Sequence, residues 1–516
     1  MIQNLLQAGR RITRFILSGF LGALLVVIVV GVITLNDRPD LKAWHKTVLD
    51  EEFNRDSGLS SFDEYLELED RLFRQLDEQI YAHAGEKDRL AINRYFRGSL
   101  SDPGRWPVNW NRSFVLASDK LKAGVLLLHG MSDSPYSLHS IGQLLSGQGA
   151  YVIGLRIPGH GQVPSGLLDT EWEDMAAAVR LAMGELQSKS AGVPLYIIGY
   201  SNGGALAIQY TLDSLVDEQL AKVDGLILIS PEIGISKMAV LAQWQERLGH
   251  LLGLEKLAWN SLLPEYDPWK YGSFALNAGK QAYRITQEIQ RQISAGEKTG
   301  TLDRMPPILA FQSVVDATVT APALVHSFFA KLPAITSAKA SGVPEQHELV
   351  LFDINRWSEI GPLMNENPSA WIDPMLKTAS FDFWLTLVSN QSRDKQHVIA
   401  VSRMPGSSET RTCDTGLSWP QHIYSLSHVA LPFAPDDPVY GGEEAGTSPG
   451  IDLGGIAMRG EKGVLQVPAA DQLRLRYNPF FRYVEHRVLV FMGFEPDIDS
   501  FCFAPGDAVR LQPMEQ

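Results

Sequence analysis

The residues most able to do chemistry in this 516-residue chain lie at 199–204, where the sequence reads GYSNGG. Ser201 has a glycine two positions before it and another two positions after it, which is the G-x-S-x-G pattern of a serine held on a tight turn. An apolar run at 195–198 precedes the turn, and a helix-compatible run at 205–212 follows it. Because glycine lacks a Cβ atom, a strand–turn–helix of this kind can close and project the serine hydroxyl. The pattern predicts that Ser201 is a nucleophile for acyl transfer.

A second match to the same pattern lies at 446–450 and would make Ser448 the nucleophile. No apolar strand precedes it, and Pro438 and Pro449 are typical of a loop. The pattern alone is common by chance, so the strand and helix around it decide between the two serines. We therefore prefer Ser201.

A second element suited to acyl transfer is the segment HGMSDSP at 129–135, about seventy residues before Ser201. It follows the apolar run GVLLL at 124–128, where a hydrolase with this serine turn places a loop that donates one backbone N–H to the oxyanion. We expect the N–H groups of Met131 and Asn202 to form this oxyanion hole.

Two histidines in these loops have a structural interpretation. His129 stands at a strand end beside a glycine, a position that suits shaping the loop better than serving as a base. His160, in the turn PGHG at 158–161, is also predicted to be structural.

Together, the strand followed by HGMSDSP, the PGHG turn, the GYSNGG turn and the segment QSVVDATV at 312–319 resemble the α/β-hydrolase superfamily. Within it, the sequence is similar to the serine aminopeptidase and monoglyceride lipase-like group. The resemblance covers roughly residues 112–431, with large departures toward its end. It implies a mostly parallel central sheet with a helical cap, and a catalytic triad in the chain order serine, acid, histidine.

The resemblance assigns the acid to Asp316, which follows the apolar run ILAF at 308–311. An acid at this place would hold the histidine in one tautomer and stabilise its protonated form. The alternative is that Asp316 caps a helix beginning near Ala321, since aspartate is also favoured there.

The base is harder to choose among twelve histidines. We prefer His428, which follows the short strand-like run at 423–427 and precedes a turn, because the family places its base on the loop that leaves the last strand. His347 has the usual separation from the acid but begins an apolar run at 348–354. His422 and His397 are further alternatives.

Five short apolar runs alternate with longer amphipathic segments, which is typical of a buried parallel sheet covered by helices on both faces. The runs lie at 124–128, 151–155, 195–198, 226–229 and 308–311.

The domain organisation is expected to be a membrane anchor at 1–35, a helical stalk and linker at 36–111, and a hydrolase domain at 112–516. Within that domain we expect a helical cap at about 235–304. An insertion at about 356–420 would loop out between acid and base, and a C-terminal extension at about 432–516 would add edge strands at 473–477 and 487–491.

Residues 15–35 carry no charge and are long enough to cross a membrane as one helix. Basic residues on both sides make the orientation less clear, but their cluster at 10–14 and the length of the chain that follows favour a body outside the cytoplasm, periplasmic in a bacterium.

The formal net charge of −14 argues against nucleic acid as a partner. Cys413 and Cys502 allow one disulfide, with two buried free thiols as the alternative, and they form no paired cluster for zinc. No cofactor or metal is implied.

We therefore expect a membrane-anchored serine hydrolase that cleaves an ester of a lipid-like or other hydrophobic acyl substrate. An aminopeptidase or an acyltransferase using the same serine stays open, because the same side chains serve all three reactions. The alternative from another class is a catalytically inactive, membrane-tethered binding scaffold.

Overall fold

A computed structural model describes most of the chain. It covers residues 15–20, 22, 26, 37–234, 255–335, 346–353, 367, 369–378, 381–392, 395–420, 423–442, 445–455 and 464–495.

The helices and strands of these residues are numbered in chain order. The helices are α1 (Ala43–Lys46), α2 (Phe62–Gln79), α3 (His139–Gln148), α4 (Trp172–Lys189), α5 (Asn202–Val216), α6 (Leu276–Thr299), α7 (Ala321–Ser327), α8 (Ile372–Thr378), α9 (Ala469–Gln472) and α10 (Phe481–Phe491). The strands are β1 (Phe114–Leu116), β2 (Ala123–Leu128), β3 (Ala150–Leu155), β4 (Leu195–Tyr200), β5 (Gly225–Ile229), β6 (Trp259–Ser261), β7 (Phe274–Ala275), β8 (Ile308–Ser313), β9 (Glu348–Phe352), β10 (Trp384–Ser392), β11 (Lys395–Arg403) and β12 (Thr410–Ser418).

Ten of the described strands form one sheet in the order β1-β3-β2-β4-β5-β8-β9-β10-β11-β12. Neighbours from β3 to β10 run parallel, whereas β1, β11 and β12 pair antiparallel with their neighbours. The five apolar runs of the sequence are β2, β3, β4, β5 and β8. The predicted mostly parallel sheet is confirmed.

These strands are apolar throughout because both faces of the sheet are covered. In β2, Leu126 and Leu128 pack on one face in a cluster with α4 and α5, and Val125 and Leu127 pack on the other face against α3 and α10. All six residues of β2 are buried. Two-sided burial removes the polar alternation of a half-exposed strand.

The insertion at 356–420 does not loop out as expected. Its residues supply β10, β11 and β12, which extend the sheet beyond β9. β12 is the outer strand of the described sheet and has the exposed, polar sequence TRTCDTGLS, so it lacks the apolar pattern by which strands are recognised. The run at 423–427, which we predicted to be strand-like, has no strand structure.

The C-terminal extension also differs from the prediction. Residues 487–491 form the end of α10 and not an edge strand, and 473–477 have no strand structure. Phe481, Val484, Val488 and Phe491 are buried at spacings of three and four residues, which is the period of a helix face. The run VLVF at 488–491 is too short to show this period by itself, and its two β-branched valines favour a strand.

Residues 235–254 of the predicted cap lie outside the described residues. Of the remainder, α6 packs its buried face, including Ile285 and Ile289, into the main core. This helix is the crossover between β5 and β8 and does not belong to a cap. Of the predicted cap, the described chain therefore contains only residues 255–275, with the small β6–β7 pair.

The N-terminal segment packs on the body of the domain. The buried guanidinium of Arg156 pairs with Glu52 and Glu69, with N···O distances of 3.0 Å in both ion pairs. Tyr65, also buried, donates its hydroxyl hydrogen to the carbonyl of Arg156 over 2.6 Å. These contacts fix the segment around α2 to the turn that follows β3.

Most of the predicted membrane span at 15–35 lies outside the described residues, although 15–20 are helical. Within the described part of the chain, no helix combines the length and the apolar character needed to span a bilayer.

Cys413, on β12, is disulfide-bonded. Cys502, the other cysteine of the sequence, lies outside the described residues.

We predict that Arg156→Met lowers the stability of the protein by about 3–5 kcal/mol, because the buried carboxylate of Glu69 and the partly buried carboxylate of Glu52 lose the cation that they share. The measurement is the thermal unfolding midpoint. The matched control is Arg55→Met, which breaks the solvent-exposed pair with Glu171 and should leave the midpoint nearly unchanged. Equal shifts for the two variants would contradict this account of the network.

Candidate active site

Ser201 occupies the turn between β4 and α5 in a strained backbone conformation, with φ of 53° and ψ of −117°. Its N–H donates to the carbonyl of Ile229 at the end of β5 over 2.9 Å. Its carbonyl accepts from Gly204 N–H at 2.9 Å and from Glu232 N–H at 3.0 Å. The strain is held by hydrogen bonds on both sides of the residue, as expected for a nucleophile on a tight turn.

Glycine is required around this turn because backbone segments meet there. A Cβ atom on Gly203 would lie 2.0 Å from the carbonyl oxygen of Leu128, the last residue of β2. A Cβ atom on Gly130 would lie 3.2 Å from the Cβ of Ser201. The predicted oxyanion loop therefore runs directly beside the nucleophile.

Asp316 lies just after β8, near the carboxyl end of the sheet, and is 7% exposed. Its Oδ1 accepts from the N–H groups of Thr318 at 2.7 Å and Val319 at 2.9 Å. Its Oδ2 accepts from His428 Nδ1 at 2.7 Å. Burial alone would raise the pKa of Asp316, but the imidazole and the N–H donors lower it below its usual value. The carboxylate is therefore held in its charged form.

His428 bridges the acid and the serine. Its Nε2 lies 3.2 Å from Ser201 Oγ, opposite the Nδ1 that faces Asp316. The residue begins a short 3-10 turn, and Ser313 Oγ fixes the preceding segment by donating to the carbonyl of Leu426 over 2.7 Å. The structure thus brings together Ser201, Asp316 and His428, which are far apart in sequence. With Nδ1 donating to the carboxylate, Nε2 can accept the serine proton.

The two N–H groups predicted to form the oxyanion hole, those of Met131 and Asn202, have no hydrogen-bond partner among the described residues. Asn202 is the first residue of α5, where helix N–H groups are unsatisfied and the helix dipole is positive. The loop that contains Met131 lies next to Ser201, and Gly130 is its point of close approach. Both donors suit a developing oxyanion, and their role stays a prediction.

The histidines predicted to be structural are buried and hydrogen-bonded to the backbone. His129 Nε2 accepts from Ile157 N–H at 3.0 Å, so this histidine is neutral. Burial lowers the pKa of His160 to about 4, and its Nδ1 donates to the carbonyl of Pro158 at 2.9 Å. Neither ring is bonded to Ser201.

The alternative bases and the alternative nucleophile lie elsewhere. His347 precedes β9 and therefore lies at the amino edge of the sheet, whereas Asp316 follows the carboxyl end of the neighbouring parallel strand. His397 is on β11 with an exposed side chain, and His422 lies outside the described residues. Ser448 lies in a loop, and its hydroxyl donates to the carbonyl of Ile451.

Two residues without a predicted role support the site. Gln312, buried on β8, donates from its side-chain amide to Asp316 Oδ2 at 2.9 Å. The ring of Tyr200, just before the nucleophile, lies 5.3 Å from the imidazole of His428. Both belong to motifs that are visible in the sequence, but no residue pattern indicates which way a side chain inside a strand points.

Residues 119–336 match the family model described as "Serine aminopeptidase, S33". The match contains Ser201 and Asp316 and ends before His428. The chain contains a serine hydrolase domain with the α/β-hydrolase fold.

Solved structures similar to this hydrolase domain include three lipases and esterases. The monoacylglycerol lipase of Paleococcus ferrophilus is 18% identical, with 43% of this chain and 83% of that chain covered and a TM-score of 0.33. The monoglyceride lipase of Saccharomyces cerevisiae is 15% identical, with 46% and 81% covered and a TM-score of 0.34. Est1E from Butyrivibrio proteoclasticus with bound ferulic acid is 16% identical, with 46% and 84% covered and a TM-score of 0.30. No curated protein matches this chain.

We predict that Gly203→Ala destabilises the hydrolase domain by at least about 1–3 kcal/mol, because the new methyl group clashes with backbone atoms, which cannot move aside as a side chain can. The control is Gly184→Ala in α4, where a Cβ atom has nothing within 4 Å and should stabilise the helix by about 0.5–1 kcal/mol. Thermal unfolding of the two variants measures the difference. A stable Gly203→Ala protein would contradict the close approach of α5 to β2.

Proposed function

We propose that the chain is a serine esterase that uses Ser201, His428 and Asp316 as a catalytic triad. One observation carries the proposal: the imidazole of His428 is within hydrogen-bonding distance of Ser201 Oγ at 3.2 Å and of Asp316 Oδ2 at 2.7 Å. These distances have the order and orientation that proton transfer from serine to histidine requires.

In the proposed reaction, Ser201 Oγ attacks the carbonyl carbon of the ester while His428 Nε2 takes the hydroxyl proton. The N–H groups of Met131 and Asn202 hold the oxyanion of the tetrahedral intermediate. The intermediate then collapses, the alcohol leaves with the proton from His428, and an acyl-enzyme remains. Water, deprotonated by the same nitrogen, then attacks the acyl-enzyme; the bond to Ser201 Oγ breaks, the carboxylic acid is released, and His428 returns the proton to Ser201.

Apolar side chains in the wall of a nearby cavity support a hydrophobic acyl or alcohol group in the substrate. Phe274, Val429 and Phe433 contribute to the walls of a cavity of about 300 Å³ beside the site. Val429 directly follows His428, so a group bound there lies close to the reacting atoms.

We predict that Ser201→Ala and His428→Ala abolish hydrolysis of 4-nitrophenyl butyrate, and that Asp316→Asn lowers kcat on the order of 10³–10⁴-fold because the imidazole loses its preferred tautomer. The measurement is the steady-state release of 4-nitrophenol. The controls are Ser448→Ala and His397→Ala, which should keep the rate of the unmodified protein.

Full activity of Ser201→Ala would refute the proposal. Absence of any hydrolysis by the folded, unmodified protein would favour a binding scaffold. Faster cleavage of an aminoacyl 4-nitroanilide than of the ester would favour the aminopeptidase, and transfer to an added alcohol in preference to water would favour an acyltransferase.

We further propose that residues 15–35 anchor the protein in a membrane and that its body lies outside the cytoplasm. The uncharged length of that segment supports the anchor. The disulfide at Cys413 supports an oxidising compartment, because such bonds are rare in the cytoplasm.

We predict that the full-length protein stays with membranes after a high-pH carbonate wash, and that a variant with Leu25→Asp and Val29→Asp is released, because two carboxylates oppose insertion. Immunoblotting of pellet and supernatant measures the partition. Release of the unmodified protein by carbonate would contradict the anchor.

A further inference from the structure

Two cavities border the candidate active site and meet at the C-terminal extension. The first, of about 300 Å³, is lined by Ser132 of the oxyanion loop and by Val429. The second, of about 410 Å³, is lined by His428 and by Thr318, next to the acid. Arg474 and Asp471, both from the extension, line both cavities. Side chains of the extension therefore line a cavity that also contains His428, and a second one next to it.

Two arginines of this wall retain unused hydrogen-bond donors. Arg474 donates from one Nη to Thr318 Oγ1 at 3.1 Å, and Arg476, which lines the first cavity, donates to the hydroxyl of Tyr266 at 3.3 Å. Neither arginine forms an ion pair with a carboxylate among the described residues. Because a guanidinium has five N–H groups, most donors of both side chains are free for a ligand.

Two other charged side chains of the first cavity, those of Lys270 and Asp267, have partners within the protein. Lys270 pairs with Asp133 at an N···O distance of 3.1 Å. Asp267 accepts from the hydroxyl of Tyr440 at 2.6 Å and from the backbone N–H of Lys270 at 3.1 Å. Asp471 is in no ion pair in the described chain, and it opposes an anion in the cavity. Asp267 is near enough to Arg476 to raise the pKa of the guanidinium, but it forms no ion pair with it. Arg474 and Arg476 therefore keep N–H groups that a ligand in the cavity could occupy.

We propose that Arg474 and Arg476 bind an anionic group, a carboxylate or a phosphate, carried by the ester substrate. The planar guanidinium matches the paired oxygens of both groups and binds them in two-point contacts. The apolar walls formed by Phe274, Val429 and Phe433 accommodate the hydrocarbon part of the same molecule. The proposal rests on the esterase function proposed above and names the class of its substrate: an amphiphilic ester with one anionic end.

The test compares kcat/KM for esters matched in length. In the first pair, 4-nitrophenyl hydrogen glutarate carries a carboxylate at the end of its acyl chain and 4-nitrophenyl pentanoate does not. In the second pair, 3-acetoxyphenyl phosphate carries a phosphate on the leaving alcohol and phenyl acetate does not. Subtracting the rate with Ser201→Ala removes spontaneous hydrolysis. The pair with the larger anionic preference tells whether the anion belongs to the acid or to the alcohol.

We expect the unmodified protein to prefer the anionic ester in at least one pair. Arg474→Gln and Arg476→Gln should each lower that preference on the order of 10-fold, as for loss of a charged hydrogen bond, and Arg476→Lys should lower it less. Asp471→Asn should raise the preference, because a repelling charge is removed. The matched control is Arg291→Gln on α6, an exposed arginine paired with Glu288, which should not change the preference.

Absence of an anionic preference in both pairs would overturn this inference, as would a preference that neither arginine variant lowers. Both results differ from failure of the esterase proposal, in which no ester is hydrolysed faster than by Ser201→Ala. Expressing the result as a ratio of two esters removes any general loss of activity or stability in the variants.

Discussion

The backbone at Ser201 is the constraint on which the rest of the site depends. A residue other than glycine held at φ of 53° and ψ of −117° costs on the order of 1–3 kcal/mol, so the fold must enforce it. The N–H of Ser201 is bonded to β5 and its carbonyl is bonded to the N–H of Glu232. Gly203 lets α5 approach β2 closely enough to bring the serine beside the Met131 loop. The candidate nucleophile, the positive end of the α5 dipole and the two candidate oxyanion donors therefore lie close together at this turn.

The sequence around His428 does not predict the local structure that places this histidine next to Ser201. His428 lies on irregular chain after β12, and its position depends on the Ser313 hydroxyl bound to the carbonyl of Leu426 and on the ring of Tyr200. The sequence predicts His428 as the base from the chain order serine, acid, histidine and from a strand at 423–427, but the structure has no strand there. The chosen residue nevertheless lies between Ser201 and Asp316. The three added strands between Asp316 and His428 leave the order of the three residues along the chain unchanged. The secondary structure before His428, in contrast, differs from the prediction.

The sequence predicts the central strands of the sheet but not its outer strands or the helix near the end of the described chain. The runs that became β2 to β5 and β8 are apolar because both faces of the sheet are covered. β12 was missed because it is exposed and polar, and the end of α10 was predicted to be a strand because its short run VLVF contains two β-branched valines. The role proposed for Arg474 has no local sequence signal, because this arginine lies outside helices and strands and only the structure shows which cavities it lines.

The proposed function requires Ser201 to be an activated nucleophile. The most direct measurement is reaction of the full-length protein with a fluorophosphonate, followed by peptide mapping of the adduct by mass spectrometry. We predict a single phosphonylated peptide, which contains Ser201 and is no longer formed in the His428→Ala variant. An adduct on Ser448 or another residue, or no adduct on the folded protein, would contradict it.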